Sequence, residues 1–264
     1  VNNGEGGNGA CVFEDLGYTE QQMTNYAKII GLSEIVFISK KDSQYWLRYF
    51  TPTQEIEMCG HATLAAIQFI TERWLEKPLK VSAGNLLVDV LYDEKRAYIK
   101  LGEAEKLAKV DPNVLEASVG ISHKKMRFEG LGPCIYKSGI PDILLPVDTR
   151  ETLHSIRVDR EEMINLSKNK EVVGLHVFTM ESGIIYARNF APLYGIDEEY
   201  ATGTSNNSVV HMLKAHNLLK KEKGLIIQGV EGHLGHIRYV ISEDSSIYIG
   251  GDLIKETYKF LLND

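Results

Sequence analysis

Runs of apolar and polar positions assign most of the secondary structure of this chain. Thr19-Glu20-Gln21-Gln22 reads as a capping box, residues 23–30 behind it are amphipathic, and Gly31 stops the run, so a helix is predicted there. Ile35-Val36-Phe37-Ile38 and Tyr45-Trp46-Leu47-Arg48-Tyr49-Phe50 are short, apolar and β-rich and predict two strands, the second ending at Pro52. Residues 64–75 are apolar on nearly every face, which suits a helix enclosed by sheet rather than one lying on a surface. Residues 81–90 and 96–101 alternate as strands and close a first half. Residues 106–112 are polar and include Pro112, which marks the expected boundary. Strands are then predicted at 134–136, 143–147, 172–178, 184–190, 224–228, 235–241 and 246–249, with a short helix at 159–167, a second enclosed helix at 206–219 and a helical tail at 253–262.

The pattern contains one phrase twice. Arg48-Tyr49-Phe50-Thr51-Pro52 leads to Cys59-Gly60-His61-Ala62-Thr63, and Arg188-Asn189-Phe190-Ala191-Pro192 leads to Thr202-Gly203-Thr204-Ser205. Pro52 precedes Gly60 by eight positions and Pro192 precedes Gly203 by eleven, a three-residue insertion. Upstream, Ile35-Val36-Phe37 ends eleven positions before Arg48 and His176-Val177-Phe178 ends ten before Arg188. Two related half-chains follow, each a β-rich unit wrapped on one long helix, an α+β architecture. The expected division is 1–108 and 109–249, with the tail 250–264 free to pack back on the first unit. A cleft between two similar units is a usual place for a small ligand, and each copy would aim one glycine-led helix start into it.

Composition narrows the partners. At 264 residues two units are a reasonable division, and 44% apolar with 25% charged residues is ordinary for a soluble globular protein. The net charge of −7, without a basic block, argues against nucleic acid. Cys11, Cys59 and Cys134 are too few and too dispersed for a disulfide framework or zinc knuckle, which fits a reducing cytoplasm. No apolar run approaches the roughly 18–20 residues of a membrane span, so no membrane partner is expected. The chain opens on Val1, and a short segment ahead of it is expected to be missing.

The candidate chemistry gathers at the two helix starts. A helix N-terminus leaves backbone N–H groups unpaired and carries positive partial charge, which seats a carboxylate, and a glycine there lets the ligand approach closely. Cys59-Gly60-His61 supplies one seat and Thr202-Gly203-Thr204 the other. A glycine ahead of a helix is also an ordinary cap. His61, in the first turn, is placed to polarise a carbonyl or orient a carboxylate as a neutral imidazole, with the helix dipole lowering its pKa; a capping or packing role is the alternative. Glu34 follows a helix-stopping glycine and precedes three large apolar residues, a setting that desolvates a carboxyl and suits it to proton transfer, although a solvated strand-end acid reads the same way. Cys59 beside His61 invites a nucleophile, but residues two apart on a helix start place thiol and imidazole poorly for a dyad. The stretch Gly4 to Gly9 lacks the ending of a phosphate loop, His233 and His236 have no third ligand nearby, and no dinucleotide fingerprint is present, so neither metal nor cofactor is expected.

At these residues the chain resembles the phenazine biosynthesis PhzF-like family. The matching pieces are Gly7-Asn8-Gly9-Ala10, Leu32-Ser33-Glu34, Phe50-Thr51-Pro52, the block from Glu57 through Cys59-Gly60-His61-Ala62-Thr63 to Ala66, Phe190-Ala191-Pro192 with Gly195-Ile196-Asp197-Glu198, Thr202-Gly203 and, more weakly, Gln228-Gly229. The resemblance implies a duplicated fold shared with diaminopimelate epimerase: two pseudo-symmetric domains, each a β-barrel-like sheet around a central helix, with the active site between them. It also implies a homodimer and an isomerase that needs no metal or organic cofactor. Carried over singly, Glu34 becomes the general acid/base, His61 and Glu199 its catalytic helpers, and Ser33, Cys59, Gly60, Thr202, Gly203 and Thr204 the substrate contacts. The chain departs from the family where Thr204 replaces the usual Ser, Glu199 an Asp, Tyr200-Ala201 a Pro-Val pair, and Gly9 a proline. Diaminopimelate epimerase itself is set apart, because it needs two opposing thiols and Cys59 faces Thr202 in the repeat.

The expected activity is therefore isomerisation of a small carboxylate-bearing metabolite through proton abstraction and return by Glu34. Two other readings stand beside it: a binding protein that has kept the cleft and lost catalysis, motivated by Glu199-Tyr200-Ala201, and a hydrolase using Cys59.

Overall fold

The computed structural model describes residues 6–93 and 96–255. The first half contains β1 (Ala10–Glu14), α1 (Glu20–Ile30), β2 (Glu34–Lys41), β3 (Gln44–Phe50), β4 (Glu55–Ile56), α2 (Gly60–Arg73), β5 (Lys80–Ala83), β6 (Leu86–Asp93) and β7 (Arg96–Lys100). The second contains β8 (Glu105–Lys109), α3 (Glu116–Val119), β9 (Cys134–Ser138), β10 (Ile140–Pro146), α4 (Arg150–Ser155), α5 (Arg160–Lys170), β11 (Leu175–Glu181), β12 (Ile184–Ala191), β13 (Ile196–Glu199), α6 (Gly203–Ala215), β14 (Lys223–Val230), β15 (His233–Ile241) and β16 (Ile247–Gly251).

The duplication extends to the sense of five successive strand pairs in each half. β1 runs parallel to β2, β2 antiparallel to β3, β3 parallel to β5, and β5, β6 and β7 follow antiparallel. β10, β11, β12, β14, β15 and β16 repeat that series. β7 pairs with β16 and joins the halves into one sheet. The expected α+β architecture with a helix inside each half is what the chain adopts, with one difference. That difference is one of degree: the barrel-like sheet wraps its helices without closing, its order among the described residues running from β1 to β8.

Burial on both faces explains why the strand runs are continuously apolar. Ile35 and Phe37 of β2 pack with Met23, Ala27 and Phe50 beneath α1, while Val36 and Ile38 pack with Ala62, Ile67 and Ile70 of α2. In the second half Leu175, Val177 and Phe190 meet Leu153 and Met163 of α4 and α5. On the other face Val209, Val210 and Leu213 of α6 meet Phe178, Ile226 and Ile249.

Strand register removes one discrepancy seen in the sequence. Phe37 faces Arg48 and Val177 faces Arg188, so the interval is eleven positions in both copies and Val177, not Phe178, is the counterpart of Phe37. Counting back three positions, the counterpart of Glu34 is Gly174. The linker expected over 106–112 is largely strand: β8 pairs with β9, a cut after residue 108 would sever it, and the strandless crossing lies at 101–104. The single strand expected over 81–90 is two, turned at Gly84, whose φ of +55° favours glycine. In the tail, residues 252–255 carry no regular structure, and the rest of the helix expected over 253–262 lies outside the described residues. No helix among the described residues is long and apolar enough to cross a membrane.

Candidate active site

The two glycine-led helix starts converge on one side chain. A methyl group built on Gly60 would lie 3.8 Å from Cδ2 of Leu101, and one built on Gly203 would lie 3.2 Å from its Cδ1. Leu101 sits at the crossing between the halves and wedges the starts of α2 and α6 apart by little more than its own width. The residue ahead of each glycine, Cys59 or Thr202, is extended and makes no side-chain capping hydrogen bond. Each helix therefore starts without a side-chain cap.

Glu34, at the first position of β2, turns its carboxyl towards the start of α2. Its Oε2 lies 3.3 Å from His61 Nε2, outside hydrogen-bond geometry, and is a buried oxygen with no hydrogen-bond partner. Burial pushes the His61 pKa below its ordinary value, while the Glu34 charge and a backbone hydrogen bond with Gly9 work against that push. The sequence reading ascribed the direction to the helix dipole; the larger cause is loss of solvent. The imidazole is neutral at physiological pH on this account. Cys59 Sγ lies 3.3 Å from His61 Nδ1, but burial and the nearby Glu34 charge drive its thiol pKa far above the ordinary value. The sulfur keeps its proton, the opposite of an activated nucleophile.

Glu199 comes from the far wall, at the end of β13. Asn8 Nδ2 donates to its Oε1 at 2.7 Å and Thr202 Oγ1 donates to its Oε2 at 3.0 Å. Burial raises its pKa, and the charges of Glu34 and Asp142 add to the rise. The acidic run Asp197-Glu198-Glu199 is divided three ways: Asp197 contacts Arg160 at the surface, Glu198 is locked to Arg188, and Glu199 alone turns to the cleft. Tyr200, which stands where the family that the chain resembles has a proline, stacks its ring on His233 with centroids 5.3 Å apart, and its backbone oxygen lies where a side chain at Gly235 would stand.

Glu34, Cys59, His61, Glu199 and Thr202 are thus brought into one region, with Gly60, Gly203 and Thr204 at the helix starts on either side. Ser33 is exposed on the loop ahead of β2 and makes no side-chain hydrogen bond among the described contacts. Glu34, Cys59 and His61 also present three potential metal-ligand atoms within 4.8 Å of one another, a cluster the sequence spacing did not reveal. A cation there would have to displace a thiol proton that burial and Glu34 hold firmly. Three participants, Asn8, Leu101 and Gln228, whose Nε2 donates to Thr202 Oγ1 at 3.0 Å, carried too little local signal to be singled out. Asn8 and Gln228 were visible only as parts of short matching motifs, and Leu101 only as the end of a strand.

The thiols give a direct check on the Cys59 reading. Burial raises all three thiol pKa values, so exposure decides the order: alkylation by iodoacetamide at neutral pH, followed by peptide mass spectrometry, is expected to label half-buried Cys11 ahead of the buried Cys59 and Cys134. Cys59 reacting first would restore the thiol nucleophile.

A family model described as phenazine biosynthesis-like protein (PhzC-PhzF) matches residues 2–252. An uncharacterised isomerase of Clostridium acetobutylicum is 31% identical over 231 residues, 80% of this chain and 76% of the relative. Among solved structures, a PhzF-family phenazine biosynthesis protein of Bacillus anthracis superposes with a TM-score of 0.77 at 20% identity, covering 95% of this chain and 91% of that one. A probable proline racemase of Agrobacterium radiobacter superposes more distantly, with a TM-score of 0.52 at 10% identity over 89% of this chain and 78% of that one.

Proposed function

The chain belongs to the phenazine biosynthesis-like (PhzC-PhzF) family, an isomerase family, and on that premise we propose that it isomerises a small carboxylate-bearing metabolite by moving a proton between carbons through Glu34. The observation that carries this reading is Glu34 Oε2, a buried oxygen with no hydrogen-bond partner, held 3.3 Å from His61 at the glycine-led start of α2. A buried, unsatisfied carboxylate oxygen is costly to stability, and a substrate proton would supply the missing partner.

The parts divide the work as follows. The uncapped starts of α2 and α6 seat the substrate carboxylate on backbone N–H groups, while Gly60 and Gly203 make room for Leu101 between them. Glu34 takes a proton made acidic by an adjacent carbonyl or conjugated system. Neutral His61 donates a hydrogen bond to the enolate-like charge that develops, and Glu199 stands on the opposite wall as a second acid. Cys59, Thr202 and Thr204 are assigned the remaining substrate contacts, whereas Ser33, exposed on its loop, is assigned none. Every proton movement is assigned to side chains, so the reading needs no metal or organic cofactor. A homodimer in the cytoplasm completes the proposal, and sedimentation of the purified protein reads the dimer.

The test is enzyme-dependent exchange. Candidate amino, hydroxy and unsaturated carboxylic acids incubated with the protein in heavy water are expected to gain deuterium at carbon, equally with and without EDTA. Isomerisation of the true substrate with no solvent exchange under any condition, or loss of turnover on chelation, would sink the proposal.

A further inference from the structure

The end of α6 remote from the cleft opens on a groove of about 700 Å³, within the size range of small-ligand sites. Met212 near the end of α6 and His216 at its C-cap form one side. α6 is thirteen residues long and starts at Gly203, so at about 1.5 Å per residue the groove stands roughly 15–20 Å along the helix from the candidate active site. The ionisable side chains that line it are Lys106, Lys109, His123, Lys124, Arg127 and His216, and every one is basic. Four permanent cations thus share one groove in a chain whose net charge is −7.

A β-bulge puts the two lysines of β8 on one face. Residues three apart in a regular strand face opposite sides, but the register of β8 on β9 shifts between Lys106 and Ala108, so Lys106 stands against Tyr136 and Lys109 against Cys134. Tyr136 and Cys134 both pack with α6, and Lys106 is close enough to Cys134 to work against the rise of its thiol pKa. Among the described residues none of the four cations makes an ion pair or a side-chain hydrogen bond. Two neighbouring carboxylates are already engaged: Glu116 accepts from the His123 backbone N–H and faces Nδ1 of its ring, both at 2.6 Å, and Asp111 accepts from the N–H and Nδ2 of Asn113 at 2.9 and 2.8 Å. Glu105 and Glu129, though next to the lining in sequence, are not part of it. Buried Met126, Leu131 and Met212 floor the groove, so the cations stand over a low-dielectric wall that focuses their field. Gly130 and Gly132 leave open space where a side chain would be, and the Gly132 N–H has no partner among the described contacts, so a ligand oxygen can reach the backbone.

We propose that this groove binds a small ligand bearing a di- or triphosphate group, at a site separate from the isomerase cleft. A short phosphate chain concentrates several negative charges within a few bonds, which is the complement of four unpaired cations on two walls of one groove. Arg127 offers a planar fork suited to a phosphate edge, the lysines supply point charges on flexible stems, and the Gly132 N–H is a fixed donor. A single carboxylate, of the kind assigned to the cleft, would satisfy only part of that set. Nucleic acid fits less well, because the positive charge is confined to one groove of a chain that is acidic overall.

Isothermal titration calorimetry of the purified protein with sodium tripolyphosphate tests the site without any substrate, so the outcome is independent of whether Glu34 moves a proton. Saturable one-to-one binding with a Kd below about 1 mM is expected, weakening as added salt screens the groove. Lys109→Glu combined with Arg127→Glu is expected to weaken binding by at least about tenfold. Lys168→Glu combined with Lys170→Glu makes the same change in net charge on α5, away from the groove, and is expected to change the affinity by less than about twofold. All four positions are exposed, and thermal melting without ligand checks that both variants fold. Citrate, which presents its charge on carboxylates, is expected to bind at least about tenfold more weakly than tripolyphosphate. No binding to the wild-type protein at about 1 mM, equal losses in the two double variants, citrate binding as tightly as tripolyphosphate, or a single-stranded oligonucleotide binding more tightly through the same side chains would each overturn the inference.

Discussion

Replacing Glu34 with glutamine is expected to abolish proton exchange into substrate, by about 10³-fold within the usual 10²- to 10⁴-fold range for a general acid/base, and to leave the melting temperature unchanged or slightly raised. The two halves of that expectation come from one atom. Oε2 of Glu34 is buried without a hydrogen-bond partner, so no native bond is lost when it becomes an amide, and a charge that burial penalises is removed. Two neighbours report the change without any substrate. The Glu34 charge raises the His61 pKa against the larger lowering by burial, so its removal leaves burial unopposed and shifts His61 titration to lower pH. The same charge raises the Cys59 thiol pKa, so alkylation of Cys59 is expected to quicken in the variant. Full exchange activity in the Glu34→Gln protein would end the proton-shuttle proposal, and loss of folding would show that Glu34 is a structural acid.

The duplication was legible from the sequence because it is written in residues that pack. Arg48 and Arg188, Phe50 and Phe190, Pro52 and Pro192, and Gly60 and Gly203 each keep the same place in both halves. The enclosed helices were legible for a related reason, since a helix apolar on all faces has no solvent side to show. The candidate site follows another rule. Register makes Gly174 the counterpart of Glu34, and ladder pairing sets Glu199 on Asn189 where Ile56 sits on Tyr49. His61 answers to Thr204 and Cys59 to Thr202. The candidate residues lie at positions the repeat fails to duplicate, which suits the proposed reaction, whose two sides differ. Reading those positions needed the register, and one misplaced residue upstream of Arg188 hid the Glu34 counterpart. The strands β1 and β8 were hidden because edge strands in short, mixed-polarity segments carry little periodicity.

The repeat also supplies an internal control for the energetics of an ion pair, and it yields the largest stability effect expected of this chain. Arg48 forks onto Glu55 through Nε and NH2 at 2.8 and 2.7 Å, and Arg188 forks onto Glu198 in the same way at 2.8 Å for both contacts. Both guanidinium groups lie over the phenylalanine two positions on, Phe50 or Phe190. The difference is solvent: the side chains of the first pair are 38% and 33% exposed, those of the second 8% and 14%. Arg188 additionally holds the carbonyls of Leu153 and Ile156 through NH1. Arg188→Ala is therefore expected to cost about 3–5 kcal/mol, chiefly by leaving Glu198 buried and unpaired, whereas Arg48→Ala is expected to cost no more than about 1 kcal/mol. Urea unfolding of the two variants under one condition measures the gap. A double replacement, Arg188→Met with Glu198→Leu, is expected to recover most of the loss, because removing both charges also removes the stranded one. Equal costs at the two arginines would mean that burial does not set the strength of this repeated contact, and a double variant as unstable as Arg188→Ala would place the cost in the Leu153 and Ile156 carbonyls instead.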